Sequence, residues 1–290
     1  MIKSLFKRFA LPFQLWTGVH ELRKGNAILQ AQEYARLQAA VAAAQPDNIA
    51  LAGYKVYSQT DEDGIIAAIF DRIAHDSRFL EIGVQTGVEC NSLLLLLKGW
   101  RGTWIEGSAA ACQTIASDLG AASFDKHFRA TNSFVTRENI VQLVQSEQAF
   151  LDAAELDFFS LDIDGNELHC MRELLEARIT PKVICVEYQG KFPPPVSVTI
   201  DYAPDHVWPG TDYMGSSLQA FVDLFAEYDY RLLTCNIPGI NAFFVRGDLA
   251  GEFADIPVKD LYQPYRAWLS PFIPGQPPAL SYLKRVLAAG

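Results

Sequence analysis

The chain has 290 residues, 50% of them hydrophobic, and a formal net charge of −10. This length and apolar content suffice for one large α/β domain with additions or for two smaller domains. The acidic balance argues against a protein that wraps nucleic acid, because phosphate binding requires a basic stripe. The five cysteines are widely spaced and include no C-x-x-C pair, so the sequence indicates neither a zinc knuckle nor a disulfide framework.

Basic and aromatic residues are mixed along the N-terminal segment, residues 1–16. The charges interrupt the apolar run and no small-residue cleavage site follows, which is unlike a signal peptide. Two interpretations remain: a basic amphipathic segment at the inner face of a membrane, or an arm that packs against the domain or in a homodimer. No run of 18 apolar residues occurs, so we expect no transmembrane helix and a cytoplasmic protein, peripheral to the membrane at most.

Helical patterns dominate the start of the chain. A helix is predicted over 17–45, and residues 1–52 are assigned to an N-terminal helical extension. A second helix begins near Thr60 and carries Glu62 and Asp63 in its first turn, where the helix dipole favours acids.

Strands and helices then alternate, as in a doubly wound parallel sheet. We predict strands at 78–83, 102–106, 127–131, 157–162 and 182–187, and helices at 89–98, 109–119, 137–149, 166–177 and 216–227. Two further strands, 230–235 and 242–246, flank a Pro-Gly turn and predict an antiparallel hairpin. The fold class is therefore α/β and Rossmann-like: a mostly parallel seven-stranded sheet ending in an antiparallel hairpin. This domain covers 53–255, and a Pro-rich C-terminal tail covers 256–290.

The first predicted strand leads into the pattern E-x-G-x-x-x-G, from Glu81 to Gly87. Gly83 and Gly87 bracket a tight loop before a helix, where exposed backbone N–H groups can bind a ligand. The dinucleotide fingerprint G-x-G-x-x-G fails, because Gln85 stands where its second glycine should be. The remaining pattern resembles motif I of class I S-adenosylmethionine (SAM) methyltransferases.

A second acid, Glu106, ends the next predicted strand, 25 residues after Glu81. In nucleotide-binding α/β sheets an acid at this place accepts hydrogen bonds from the two ribose hydroxyls. Glu106 therefore suits the ribose of either SAM or NAD, although a solvated strand-end acid would look the same. Asn132, just after the third predicted strand, is included among the candidate cofactor-binding residues.

Acids also follow the fourth and fifth predicted strands. Asp162 and Asp164 precede the next helix, and Glu187 ends the fifth strand. Asp162 has three open roles: general base, metal ligand, or orientation of the cofactor. The alternative is a turn with a helix cap. If all three acids converge, their oxygens suit Mg²⁺ or another hard cation.

Two further features concern the acceptor of the reaction. His169, one turn into the helix after Asp164, is of the residue type that deprotonates a hydroxyl, although a lone histidine is often structural. Residues 190–215 form a long Pro-rich segment with interleaved aromatic and acidic residues, which predicts a lid or binding loop. That composition suits a carbohydrate or another small molecule, and equally an ordered loop or a dimer contact.

Taken together, these motifs resemble those of bacterial class I SAM-dependent methyltransferases related to the FkbM type, over about residues 58–253. The resemblance implies the Rossmann-like class I methyltransferase fold, with SAM contacted by Glu81, Gly83 and Glu106. It also implies that Glu62 and Asp63 lie near the pocket. Similar proteins often carry Gly-Asp or Gly-Asn where this chain has Gln85-Thr86, a change that bears on SAM affinity.

The resemblance implies methylation of a hydroxyl on a sugar, a glycan precursor or a secondary metabolite. Two alternatives stay open at this stage. One is a non-catalytic SAM-fold scaffold that works by binding a partner. The other is an NAD-linked oxidoreductase, which the failed glycine fingerprint and the terminal hairpin disfavour.

Overall fold

The computed structural model describes residues 22, 25–119, 127–269, 280 and 283–285. Within these residues seven strands form one sheet: β1 (Arg78–Ile82), β2 (Arg101–Glu106), β3 (Phe128–Asn132), β4 (Phe158–Leu161), β5 (Val183–Glu187), β6 (Tyr230–Cys235) and β7 (Asn241–Arg246). The order across the sheet is β3-β2-β1-β4-β5-β7-β6. β1 to β5 pair in parallel, and β7 lies antiparallel between β5 and β6.

Helices connect the strands and cover the sheet. They are α1 over 25–44, then α2 (Glu62–Phe70), α3 (Leu93–Leu97), α4 (Ala109–Leu119), α5 (Ile140–Leu151), α6 (Glu167–Glu176), α7 (Leu218–Ala226) and α8 (Val258–Leu261). Short 3₁₀ turns occur at Ile49–Ala52, Gly247–Glu252 and Ala267–Leu269. The strand order, the end hairpin and the N-terminal helix confirm the predicted fold class. The helix predicted over 89–98 is shorter, because backbone N–H groups at 91 and 92 bind a carboxylate below the loop instead.

The core has two layers, one on each face of the sheet. Neighbouring strand residues point to opposite faces: Phe158 packs in the layer with α2 and α3, and Phe159 packs in the layer with α5, α6 and α7. Both phenylalanines are fully buried. Because both faces of the sheet are covered, the parallel strands have apolar residues at successive positions, and apolar and polar residues do not alternate along them. The five cysteines are unpaired, and four of them are buried.

The N-terminal helix and the described part of the tail pack against the hairpin end of the sheet. Tyr34 in α1 donates a hydrogen bond from its hydroxyl to Asp61 at 2.8 Å. Tyr34 and Ala50 share a buried apolar cluster with Ile237 and Leu269. Contacts therefore cross both predicted domain limits, and the division at 52 and 255 stays a prediction.

The membrane interpretation concerned residues 1–16, which lie outside the described residues. None of the helices in the described part of the chain combines the length and apolar character needed to span a bilayer.

Candidate functional site

A cavity of about 260 Å³ lies at the carboxyl ends of β1, β2, β4 and β5. β1 and β4 are neighbours here, and the chain crosses to opposite sides of the sheet after each, which is where open α/β sheets bind ligands. The lining residues come from strand ends and the loops that follow them. They are Gln59, Ile82, Gly83, Gln85, Ile105, Glu106, Gly107, Ser133, Phe134, Val135, Asp162, Ile163, Asp164, Asn166, Glu187 and His206.

The loop after β1 owes its shape to its two glycines. Gly83 has a φ of 86°, and a Cβ atom there would lie 1.6 Å from the carbonyl oxygen of Asp162. Gly87 has a φ of 74°, and a Cβ there would lie 2.3 Å from the Trp104 ring. Gly83 therefore lets the loop lie against the end of β4 and line the cavity, whereas Gly87 packs on the core and is not a lining residue. Gln85 also has a left-handed backbone, at a φ of 50°.

Glu106 lies on the cavity wall at the end of β2. One carboxylate oxygen accepts a hydrogen bond from the backbone N–H of Gln85, and the other accepts from that of Ser108, both at 2.8 Å. The carboxylate is thus fixed between the loops after β1 and β2, on the wall of the cavity. Asn132 is not a lining residue; its side-chain amide donates to the backbone carbonyl of Glu106 at 2.8 Å and braces this strand end.

Glu81 lies beneath the loop and not in the cavity. It is 4% exposed, and its oxygens accept hydrogen bonds from the backbone N–H groups of Asn91 (2.9 Å) and Ser92 (2.8 Å). Burial raises the pKa of Glu81, and these donors, with the Ser92 hydroxyl, oppose that rise. The arrangement anchors the start of α3 to β1, so Glu81 shapes the loop from inside the protein.

Glu62 and Asp63 are also buried and also lie off the cavity wall. Asp63 accepts hydrogen bonds from three successive backbone N–H groups, those of residues 56–58, at 2.6–2.8 Å. Glu62 accepts from the side-chain amides of Asn236 and Asn241 at 2.8 and 2.9 Å. These acids tie the segment before α2, which includes the lining residue Gln59, to the hairpin turn.

Asp162 and Glu187 meet across neighbouring strand ends, where a carboxylate oxygen of one lies within 4.8 Å of a carboxylate oxygen of the other. Burial raises the pKa of Asp162 to about 8, and the charges of Glu167 and Asp164 add to that rise. Burial and the charge of Asp162 raise the pKa of Glu187 well above its usual range. Two adjacent carboxyls repel each other when both are ionised, so the pair retains a proton near neutral pH.

The predicted metal ligands come together only in part. One carboxylate oxygen from each of Asp162, Glu167 and Glu187 lies within 4.8 Å of the others, and Asp164 is not a member of this group. Glu167 also accepts backbone hydrogen bonds from Ile163 and Gly165 at 2.8 and 2.9 Å. Because a fold-stabilising role already explains Glu167, metal binding stays a prediction.

His169 does not line the cavity. Its Nε2 lies 2.9 Å from the carbonyl oxygen of Ile200, and its ring meets the Tyr202 ring edge to face at 5.5 Å. Both partners belong to the segment 190–215, which we call the lid segment. The structure therefore places His169 at the attachment of the lid segment, and its predicted role as a base is not tested by this position.

The lid segment forms no helix or strand over its fully described length of 190–215. It is attached on both sides of the cavity. On one side Asn166 donates to the carbonyl of Ala203 at 2.7 Å. On the other, the Tyr202 hydroxyl donates to Glu138, and the Arg137 guanidinium lies 4.3 Å from the centre of the Tyr202 ring. A smaller cavity of about 160 Å³ lies within the segment, lined by Phe192, Val198, Ile200 and Tyr213 among others.

Sequence reasoning missed several lining residues. His206 lies in the lid segment and reaches the cavity, and Phe134 and Val135 line the wall after β3. Their sequence contexts carry no motif, because their positions depend on how loops fold over the sheet. The single usable signal was the histidine within a segment already predicted to be a lid.

No protein-family model matches the chain, and no curated protein matches it. Among solved structures, the chain is similar to the O-methyltransferase from Bacillus cereus in complex with SAH: identity is 16%, the TM-score is 0.42, and the match covers 74% of this chain and 88% of that one. It is also similar to the N-terminal domain of EvdMO1 with SAH bound, with 11% identity, a TM-score of 0.42 and coverage of 73% and 94%. For the glycopeptide N-methyltransferase MtfA complexed with SAM, the corresponding values are 10%, 0.39, 65% and 94%. At such low similarity the fold assignment rests on the strand order, and the function rests on the cavity.

Proposed function

We propose that this chain is a SAM-dependent methyltransferase. The charge of the cavity supports this most directly. Four carboxyl side chains line it, and none of its described lining residues is Lys or Arg. Such a wall suits a nucleoside that carries positive charge, as SAM does at its sulfonium and ammonium groups. It opposes the pyrophosphate of a dinucleotide, because like charges in a partly buried site repel.

The residues present fit the parts of SAM. Glu106, with both oxygens fixed at the end of β2, would accept the ribose hydroxyls. Ile105, Phe134 and Val135 give an apolar wall next to it for the adenine. Asp162 and Glu187, at the ends of β4 and β5, would lie next to the sulfonium and ammonium groups of SAM. When bound, SAM supplies an activated methyl group.

Two other functions are weaker. The NAD-linked oxidoreductase is disfavoured by the acidic wall and by the missing second glycine at position 85. A non-catalytic scaffold would not need acidic groups with strongly raised pKa values on the cavity wall, whereas catalytic sites often have them.

For the acceptor we propose a hydroxyl on a sugar, a glycan precursor or a secondary metabolite, in an enzyme related to the FkbM type that acts in the cytoplasm. The lid segment supports a small-molecule acceptor, because its aromatic side chains Trp208 and Tyr213 are each 50% exposed and Tyr213 lines the smaller cavity. Exposed rings of this kind stack on the apolar faces of sugars and aromatic metabolites.

Mg²⁺ stays a secondary suggestion, which EDTA treatment followed by Mg²⁺ addition would test.

Transfer of a labelled methyl group tests the proposal. Purified protein is incubated with methyl-tritiated SAM and the small-molecule fraction of a bacterial extract, and labelled products are separated by chromatography. We expect a labelled product that requires the protein. SAM binding without label transfer to any extract fraction would favour the scaffold alternative.

The acid pair predicts how SAM binding depends on pH. Because Asp162 has a pKa of about 8, the pair retains its proton below that pH in the free protein. A bound cation favours the ionised pair, so binding should release a proton. The affinity for SAM should therefore rise with pH, by at most about tenfold per unit for one proton, and level off above about pH 8.

Calorimetric titrations between pH 6 and 9 would measure this dependence. Adenosine serves as the matched ligand, since it lacks the cationic side chain and should bind with little change over that range. Asp162→Asn should flatten the profile for SAM. A SAM affinity that falls as the pH rises would contradict the proposed orientation of the cofactor.

A further inference from the structure

The smaller cavity within the lid segment shares none of its described lining residues with the acidic cavity proposed for SAM. Its wall is largely apolar, with side chains from Phe192, Val198, Ile200, Tyr213 and Met214. Its volume of about 160 Å³ is close to the roughly 150 Å³ of an apolar cavity that binds benzene. The space therefore suits one aromatic ring.

Hydrogen bonds to the start of α7 fix the wall of this cavity. The backbone N–H of Ser217 donates to the carbonyl of Val198 at 2.8 Å, and the N–H of Val198 donates to the Ser217 hydroxyl at 3.0 Å. The same hydroxyl caps α7 by accepting from the N–H of Ala220. Thr199 and Ser216 form an isolated antiparallel bridge beside this contact. The cavity is therefore preformed, as ligand sites usually are.

The polar side chains on the wall already have partners within the protein. The Gln189 amide donates to the backbone carbonyl of Asp212 at 3.3 Å, and the Asp212 carboxylate forms an ion pair with Lys191. The hydroxyls of Thr199 and Ser216 lie 2.7 Å apart and share a hydrogen bond. Each sugar hydroxyl buried here would have to find a partner, whereas an aromatic ring needs none.

Tyr213 presents a fixed aromatic surface on this wall. Its hydroxyl accepts a hydrogen bond from the backbone N–H of Asp201 at 3.1 Å, which holds the far end of the side chain. The side chain is nevertheless 50% exposed, so the ring has surface to offer a ligand. Phe192 lines the same cavity. Aromatic rings pack well on one another in offset-stacked or edge-to-face contacts, which favours an aromatic ligand over an aliphatic one.

The smaller cavity adjoins the acids of the larger one. Gly215 lines the smaller cavity, and a Cβ atom there would lie 3.6 Å from Oε2 of Glu167. A carboxylate oxygen of Glu167 lies within 4.8 Å of oxygens of Asp162 and Glu187, which line the larger cavity. The two cavities are therefore neighbours, as the sites of two reactants must be.

We propose that the smaller cavity binds an aromatic ring of the acceptor; this rests on the proposed function. Among the acceptors considered, the cavity then selects a hydroxylated aromatic metabolite over a sugar or a glycan precursor. The lid segment contributes the binding site for this ring, and the loops at the ends of β1, β2, β4 and β5 contribute the site for the cofactor.

Phenol is the probe for this cavity, and methyl glucoside is the matched sugar. Saturation-transfer NMR on the full chain should show phenol bound with roughly millimolar affinity, as expected for so small a ligand, and methyl glucoside not bound. Saturating SAM should not displace phenol, because the two cavities are separate.

Val198→Trp should lower the affinity for phenol by roughly tenfold or more, because the indole would take the space of the ligand ring. Val196→Trp is the matched control. Val196 lies in the same segment and is 45% exposed, close to the 41% of Val198, but it is not among the described lining residues. This control should keep its phenol affinity within about twofold of wild type. Both variants should bind SAM as the wild type does, measured by calorimetry.

Photolabelling locates the ring without relying on a variant. A phenol that carries an azide group is activated by light in the presence of the wild-type protein, and mass spectrometry identifies the labelled residues. We expect label on residues 192–200 and 212–217, and excess phenol should prevent it. In the transfer assay, Val198→Trp should raise the KM for the acceptor, and the labelled product should show the ultraviolet absorbance of an aromatic ring.

Unchanged phenol binding by a Val198→Trp variant that binds SAM normally would overturn the assignment. Label placed outside the cavity wall, or a methylated product without an aromatic ring, would overturn it as well. A wild-type protein that binds phenol in this cavity but does not bind SAM would contradict the proposed function instead.

Discussion

Replacing Gly83 by Ala should destabilise the protein by about 3 kcal/mol or more. The new Cβ would lie 1.6 Å from the carbonyl oxygen of Asp162, a backbone atom that cannot move without disturbing β4. The left-handed φ of 86° adds about 1–2 kcal/mol of strain for any residue with a side chain. Overpacking against a fixed backbone contributes a further 1–3 kcal/mol, roughly. Urea unfolding followed by circular dichroism measures the loss.

Gly99 provides the matched control, because it has the same φ of 86° but no atom within 4 Å of a built Cβ. Gly99→Ala should therefore cost only the strain, partly offset by the lower entropy of the unfolded chain, or about 1 kcal/mol. If the two variants lose equal stability, the close approach of the loop to β4 is wrong.

Replacing Glu106 by Ala should weaken SAM binding by about 1–3 kcal/mol, which is roughly 5- to 150-fold. The carboxylate would bind the ribose hydroxyls, and it also joins the loops at Gln85 and Ser108. Its removal loses the ligand contact and leaves both loops less well held. Calorimetric titration with SAM and with SAH would measure the change.

Glu106→Gln separates the two parts of that effect. The amide keeps one oxygen acceptor and nearly the same shape, so the loops should be partly held while one charge-assisted contact to the ribose is lost. We expect an affinity between those of the wild type and the alanine variant. If both variants bind SAM as tightly as the wild type, Glu106 is not the ribose ligand.

Regular patterns made the fold predictable. The apolar runs of β1, β2, β4 and β5 are those of strands buried on both faces, and the Pro-Gly turn between β6 and β7 has the residues of a hairpin. The strand ends could be located as well, so Gly83, Glu106, Asp162 and Glu187 were predicted at the edge where the structure has the cavity.

Side-chain direction was not predictable in the same way. Glu81 and Glu106 are both acids of adjacent parallel strands, yet Glu81 turns into the protein to bind the N–H groups of α3 and Glu106 faces the cavity. Glu81 pairs with Trp104 in the sheet, so it lies two residues deeper than Glu106, and this register could not be read from the sequence. The two histidines show the same limit of sequence reasoning. His169 was predicted as a site residue from its place in a helix, yet it does not line the cavity. His206 lines the cavity because of how the lid segment folds, which the sequence pattern does not indicate.

The most direct test of the central claim is a calorimetric competition between SAM and NADH on the wild-type protein at pH 8. This pH is near the pKa of Asp162, so its carboxylate form is well populated and SAM binding should be close to its strongest. SAM should bind at one site per chain in the micromolar range, SAH should compete with it, and NADH should give no heat of binding. Binding of NADH at that site without binding of SAM would contradict the assignment of this acidic cavity.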